Sequence, residues 1–133
     1  MKPKILISDD EPMMLSALAR EAKRNGLYPV TESAADRVQE RAKQEHPDVI
    51  ILDLRQALDG RDVLARLKKD PETSDVPVVV LTGIEDQFMR LLCLELGAHD
   101  YQTKPLDPTF MPRIARLAVQ RAAENGGTKH TLH

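Results

Sequence analysis

Acidic, hydroxyl and amino side chains stand at the ends of four short segments that are predicted as strands. The pair Asp9 and Asp10 follows the first of these segments, and Asp53, Thr82 and Lys104 follow later ones. Because the carboxyl ends of parallel strands meet at one edge of a sheet, these side chains are expected to converge. Gathered carboxylates repel one another unless a cation lies among them, and an all-oxygen set with room for water favours Mg²⁺.

The same set of side chains matches the needs of phosphoryl transfer. A metal ion and the Lys104 ammonium would neutralise charge on the phosphoryl oxygens, and the Thr82 hydroxyl would donate to one of them. The Asp53 carboxylate would attack phosphorus, and the product would be an aspartyl phosphate. A simpler alternative is that Asp9 and Asp10 only cap the following helix, which leaves their coincidence with Asp53 unexplained.

Hydrophobic periodicity predicts the elements that position these side chains. Short apolar segments alternate with longer segments of helical period, which is typical of a parallel sheet covered by helices on both faces. Strands are predicted at residues 5–7, 28–32, 49–52, 76–81 and 100–103, and helices at 13–25, 34–45, 62–69, 86–96 and 108–124. The predicted fold class is therefore α/β, with five strands and five helices.

The polarity of the strands predicts their order in the sheet. The first, third and fourth strands are apolar enough for the middle, and the second and fifth are polar enough for the edges. With right-handed crossovers, this favours a flavodoxin-like, doubly wound parallel sheet of order 2-1-3-4-5. Residues 1–124 are predicted to form one domain, and residues 125–133 a disordered tail.

Composition and charge exclude several classes of protein. The 133 residues, 41% hydrophobic and 30% charged, fit one soluble globular domain. Nineteen basic against 21 acidic residues give a net charge of −2, without the basic excess that direct nucleic-acid binding needs. The sequence predicts neither a membrane span nor a signal peptide. The single cysteine, Cys93, fits a reducing compartment, so a cytoplasmic protein is expected.

Four motifs in this order resemble those of the receiver domains of bacterial two-component response regulators, over residues 4 to about 122. They are ILISDDEP at 5–12, PDVIILDL at 47–54, VVLTG at 79–83 and GAHDYQTKP at 97–105. The resemblance implies that Asp53 is the phosphoacceptor and that a histidine kinase or a histidine phosphotransfer protein supplies the phosphoryl group. It also implies a switch between two conformations that serves phosphorelay signal transduction rather than metabolism.

The resemblance further implies the set of metal ligands. Asp9, Asp10 and Asp53 would bind Mg²⁺ together with the backbone carbonyl of Arg55. Asp10 would be the more direct ligand of the acidic pair.

The remaining site residues are implied in the same way. Thr82 would bind the phosphoryl group, and Lys104 would pair with it. Tyr101 matches an aromatic residue whose rotamer follows the inward movement of the threonine, although the sequence equally allows an ordinary edge-strand aromatic there. The Lys104–Pro105 peptide bond is often cis in such domains.

Two departures from the family pattern concern the surroundings of the acceptor. Ala57 stands where the family has a proline and Gly60 arrives one residue early, so the loop is shorter and less stiff, which affects how the Arg55 carbonyl is presented. Arg55 and Ile84 occupy the positions that control the attacking water in the family. A long cation and a β-branched apolar side chain are expected to shield the acyl phosphate, which predicts slow self-dephosphorylation.

The predicted fourth helix is apolar on more faces than one side of a sheet can cover. Its apolar residues are Phe88, Met89, Leu91, Leu92, Cys93, Leu94 and Leu96. One interpretation is an exposed strip for a homodimer or an output partner, since in receivers this helix, the fifth strand and the fifth helix form the usual output face. The other is that loops and the fifth helix cover it.

Two rival functions fit parts of the pattern. A receiver-like interaction module that is never phosphorylated is expected where the acidic pair or the lysine is lost, and neither is lost here. A haloacid-dehalogenase-type phosphatase also uses an aspartate nucleophile with magnesium, but it needs a second aspartate two residues later, where this chain has Arg55. The prediction is therefore a phosphoacceptor that catalyses only its own phosphorylation and dephosphorylation, and not an enzyme.

Overall fold

The computed structural model of the chain describes residues 2–54, 60–83 and 85–131, with side chains up to residue 125. The strands are β1 (Lys4–Ser8), β2 (Tyr28–Glu32), β3 (Val49–Asp53), β4 (Val78–Thr82) and β5 (Asp100–Thr103). The helices are α1 (Pro12–Arg24), α2 (Val38–Glu45), α3 (Gly60–Lys69), α4 (Gln87–Glu95) and α5 (Phe110–Thr131). A 3₁₀ turn at Ala35–Arg37 precedes α2.

The five strands form one parallel sheet in the order β2-β1-β3-β4-β5. Every residue of β3 and β4 is buried, whereas β2 and β5 carry partly exposed residues. A strand that is covered on both faces must be apolar on both, and an edge strand is not so constrained. The predicted fold class and strand order are confirmed.

Helices cover both faces of the sheet because neighbouring residues of a strand point to opposite sides. Ile5 and Ile7 of β1 belong to the core that lies under α1 and α5. Leu6, between them, belongs to the core under α2, α3 and α4. This two-sided packing fixes β1, β3 and β4 as a rigid platform for the residues that follow them.

The element ends differ from the predicted ones for local reasons. β4 begins at Val78, since Pro77 has no N–H to give to a strand ladder. The predicted second helix starts as the 3₁₀ turn and becomes α-helical only at Val38. α5 continues to Thr131 rather than ending at Glu124, so it includes most of the segment predicted as a tail. The domain boundary at residue 124 stays a prediction.

None of the described helices is both long and apolar enough to span a lipid bilayer.

Candidate functional site

The register of β1 against β3 brings the acidic residues together. Ser8 pairs with Leu52, so Asp9 and Asp53 come next along neighbouring strands. Carboxylate oxygens of Asp9, Asp10 and Asp53 lie within 4.8 Å of one another. Asp9 and Asp53 are buried, at 1% and 2% exposure, and Asp10 is exposed. Carboxylates this close repel one another, and their oxygens are the donors that a hard divalent cation prefers, so the residues fit such an ion.

Lys104 supplies positive charge to the same edge of the sheet. Its Nζ lies 3.4 Å from Asp9 Oδ2 and 3.7 Å from Asp53 Oδ2. The backbone N–H of Lys104 donates to the carbonyl oxygen of Thr82 at 2.8 Å, which extends the pairing of β5 with β4. The Lys104–Pro105 bond that follows is cis, as the resemblance implied. The pairing of β4 with β5 therefore places the ammonium against the buried carboxylates.

Thr82 and Tyr101 form the side of the site next to β5. Thr82 ends β4 and is buried, and Tyr101 is only 1% exposed although it lies on the edge strand. Burial raises the pKa of Tyr101 above its usual value, and a hydrogen bond with the Thr82 side chain acts in the opposite direction. The Tyr101 hydroxyl is thus directly linked to the residue that ends β4.

Both oxygens of Asp9 contact groups of the protein. Oδ1 accepts the Glu11 backbone N–H at 2.9 Å, and Oδ2 faces Lys104. Glu11 is the N-cap residue of α1, and its own side chain makes no capping hydrogen bond. Asp9 therefore accepts a hydrogen bond from the residue that precedes α1. This bond accounts for the position of the Asp9 side chain, but not for the positions of Asp10 and Asp53 beside it.

Arg90 of α4 is a neighbour of Tyr101 that the sequence did not single out. Its Nη1 donates to the carbonyl oxygen of Tyr101 at 3.1 Å, and its guanidinium carbon lies 5.9 Å from the centroid of the Tyr101 ring. The two residues are 11 positions apart, on a helix and on the strand that follows it. No periodicity relates such positions, so the sequence carries no signal for this contact.

Three residues of the predicted site surroundings, Arg55, Ala57 and Ile84, lie outside the described residues. Gly60, at the far end of the shortened loop, is described and is buried as the first residue of α3. A Cβ atom added to Gly60 would lie 2.6 Å from Leu54 Cδ2 and 2.8 Å from Leu54 Cα. Gly60 therefore lies directly against Leu54, the residue that follows Asp53.

The structure shows which apolar residues of α4 are exposed. Phe88, Leu91 and Leu94 are 71%, 61% and 39% exposed, and we call these three residues the α4 strip. Cys93 on the opposite face is fully buried, and Met89 packs partly against the core. An exposed apolar strip is thus present on α4, because the sheet covers only one side of this helix.

Comparisons of the sequence with known proteins give one family. The chain matches the model of the response regulator receiver domain over residues 5–116. The alkaline phosphatase synthesis transcriptional regulatory protein PhoP of Bacillus subtilis is 37% identical, over 92% of this chain and 50% of that protein. The phosphate regulon transcriptional regulatory protein PhoB of Escherichia coli K12 is 32% identical, over 96% of this chain and 59% of that protein. The chain spans about half the length of the regulators it matches.

Solved structures similar to this one include receiver domains as well. The BeF3-activated N-terminal receiver domain of Klebsiella pneumoniae RstA matches with a TM-score of 0.78 at 28% identity, over 86% of this chain and 97% of that chain. A CheY-like response regulator receiver domain protein from Methanospirillum hungatei matches with a TM-score of 0.83 over 93% of this chain and 99% of that chain. At 19% identity, the second match shows the fold alone.

Proposed function

The chain belongs to the response regulator receiver domain family, and on that premise we propose that it accepts a phosphoryl group on Asp53 from a phosphohistidine donor. The observation that carries this proposal is the position of Lys104 Nζ, 3.7 Å from Asp53 Oδ2, beside the three clustered carboxylates. Asp53 is the best placed acceptor because it is the carboxylate at the end of the central strand β3. The donor would be a histidine kinase or a histidine phosphotransfer protein.

The transfer step follows from these positions. An oxygen of Asp53 attacks phosphorus as the bond from phosphorus to the donor imidazole nitrogen breaks, and that nitrogen keeps the electron pair. The product on this chain is an acyl phosphate. The Lys104 ammonium pairs with the phosphoryl oxygens, and the Thr82 hydroxyl donates to one of them. Asp53 is only 2% exposed, which keeps bulk water away from the reacting atoms.

Mg²⁺ is the cofactor we propose for the acidic cluster, where it would neutralise charge on the phosphoryl group. Its ligands would be Asp9, Asp10 and Asp53, with the backbone carbonyl of Arg55. Because both oxygens of Asp9 already contact protein groups and Asp10 is exposed, Asp10 is better placed than Asp9 to touch the ion directly.

The conformational change would pass from the acceptor site to the protein surface through Thr82 and Tyr101. Phosphorylation would favour one of two conformations, and a partner would distinguish them at the face made by the α4 strip, β5 and α5. That partner would be a second copy of the chain or an output segment. We place this signalling role in the cytoplasm, with self-catalysed phosphorylation and dephosphorylation as its only catalysis.

Acetyl phosphate with Mg²⁺, followed by intact mass measurement, tests the proposal. The wild-type chain should gain the mass of one phosphoryl group, and Asp53→Ala should not. Asp75→Asn is the matched control, since Asp75 is a 68% exposed carboxylate that precedes β4 at the opposite end of the sheet. A mass gain that survives in Asp53→Ala would refute the assignment of the acceptor. No gain in the wild type, with either acetyl phosphate or a phosphohistidine donor, would favour an interaction module instead.

A further inference from the structure

Arg90 connects α4 to β5 at the point where Tyr101 is buried. It contacts Tyr101 twice, through the backbone carbonyl oxygen at 3.1 Å and over the ring at 5.9 Å. A hydrogen bond from a charged donor is stronger than one from a neutral donor, and a guanidinium above an aromatic ring adds electrostatic attraction. One side chain on α4 therefore restrains both the backbone and the ring of Tyr101.

The hydroxyl end of the Tyr101 side chain lies beside Thr82, the residue that ends β4. Its hydroxyl shares a hydrogen bond with the Thr82 side chain. Thr82 is in turn joined to Lys104, whose N–H donates to the Thr82 carbonyl oxygen at 2.8 Å. A continuous set of contacts thus runs from α4 through Tyr101 to the residues around Asp53.

We infer that Arg90 is a positioning residue, which holds Tyr101 in its buried place beside Thr82 and so couples the position of α4 to the acceptor site. The part of this inference that concerns phosphorylation rests on the proposed function, and the part that concerns Tyr101 does not. Movement of the ring away from Thr82 would break the guanidinium contact above it. Whatever moves α4 or engages Arg90 therefore shifts the population of buried Tyr101.

A purely structural role for Arg90 makes different predictions. If Arg90 only ties α4 to the edge of the sheet, its loss lowers stability while Tyr101 stays buried, because the ring also packs in the core beneath α4. The test therefore needs a signal from Tyr101 itself, in addition to a measurement of stability.

The composition of the chain supplies such a signal. There is no tryptophan, and the only tyrosines are Tyr28 and Tyr101. Tyr28 is 55% exposed, with the Lys4 ammonium above its ring, an arrangement that a phenylalanine preserves. In a Tyr28→Phe background, tyrosine fluorescence reports on Tyr101 alone. Its quenching by acrylamide measures how often the ring reaches solvent.

The variants are Arg90→Ala, Arg90→Lys and the control Arg116→Ala, which removes an exposed arginine from α5. We expect Arg90→Ala to raise the quenching constant about twofold or more, since contacts of this strength shift a two-state equilibrium several-fold. Arg90→Lys keeps a cation with N–H donors, so it should restore most of the protection. Arg116→Ala should have the same quenching constant as the parent Tyr28→Phe chain. Unchanged quenching in Arg90→Ala would overturn the inference, and so would equal quenching in the alanine and lysine variants.

Phosphorylation by acetyl phosphate is the second readout. Arg90→Ala should slow the gain of mass several-fold if buried Tyr101 belongs to the competent conformation, and Arg90→Lys should recover the rate. An unchanged rate with increased quenching would refute the coupling to the acceptor site. If the parent itself gains no mass, the proposed function has failed, and the quenching series still decides whether Arg90 positions Tyr101.

Discussion

Lys104 and Asp53 form an enclosed ion pair, with Nζ and Oδ2 at 3.7 Å and side-chain exposures of 12% and 2%. Asp9 lies beside the same ammonium at 3.4 Å. Water and salt screen such charges less than they screen a surface pair. The acceptor carboxylate is therefore held next to a second carboxylate by one shared cation, and this relationship leads to the first two predictions.

Removal of Lys104 should weaken both stability and phosphorylation. In Lys104→Ala, Asp9 and Asp53 lose the cation that they share, at a cost on the order of 2 kcal/mol, which is less than for a fully buried pair. The phosphoryl oxygens lose their counter-charge as well, so the rate of mass gain with acetyl phosphate should fall by about a hundredfold. Urea denaturation and intact mass measure the two effects. Lys104→Arg, which retains the charge, is the control, and wild-type stability in Lys104→Ala would contradict the ion pair.

Magnesium should stabilise the folded chain through the acidic cluster. At a free concentration of about ten times its dissociation constant, a cation that binds only the folded state adds about 1.4 kcal/mol. Asp10→Asn should raise the melting temperature in EDTA, because it removes repulsion, and should abolish most of the rise with Mg²⁺. Thermal denaturation with EDTA and with Mg²⁺ tests this. Asp36→Asn, at an exposed aspartate before α2, should respond to Mg²⁺ as the wild type does.

Gly60 should tolerate no side chain. An added Cβ would lie 2.8 Å from the Leu54 backbone, so Gly60→Ala should destabilise the fold by on the order of 2 kcal/mol, as overpacking does. Leu54 directly follows Asp53, and phosphorylation should slow as well. The comparison is Gly26→Ala. An added Cβ would meet no atom within 4 Å beyond the two neighbouring residues, so the positive φ of 81° alone should cost about 1 kcal/mol. Equal urea midpoints for Gly60→Ala and the wild type would show that Leu54 can shift to accommodate the added methyl group without cost.

The free energy of unfolding should depend on pH through the Asp70 carboxyl group. The backbone N–H of Glu72 is the main cause that lowers the pKa of Asp70, and Gln39 and Lys43 act in the same direction. A folded pKa below the unfolded value of about 3.9 means that the contribution of Asp70 is complete above that pH and is lost as the pH falls through the lowered pKa. The difference in urea midpoint between the wild type and Asp70→Asn should therefore shrink from pH 7 to pH 3. A constant difference would contradict this linkage.

The acyl phosphate should be long-lived. Arg55 and Ile84 occupy the positions that the family resemblance assigns to control of the attacking water, and both are expected to shield the phosphoryl group. Decay of the phosphorylated mass after removal of acetyl phosphate measures the half-life. Arg55→Asn should shorten it several-fold. A wild-type half-life shorter than that of typical receivers, unaffected by Arg55→Asn, would contradict the shielding.

Local patterns in the sequence determined the architecture and the approximate place of the site. Strands such as β3 are apolar on both faces and belong in the middle of a sheet, and together with polar edge strands and right-handed crossovers this predicted the strand order. Asp53, Thr82 and Lys104 follow strands that run in one direction, so their meeting at one edge follows from the fold class. Residues separated by long stretches of chain could be brought together in this way because parallel strands impose a common end.

Only the tertiary structure decided which of these side chains are enclosed and what lies against them. Tyr101 is buried although its strand is at the edge, because α4 packs over it, and the contact of Arg90 with Tyr101 depends on the angle at which that helix meets the sheet. The same packing leaves Phe88 exposed on α4. Composition and periodicity report how much surface an element must bury, whereas the partner that buries it is chosen by contacts between residues that are distant in sequence.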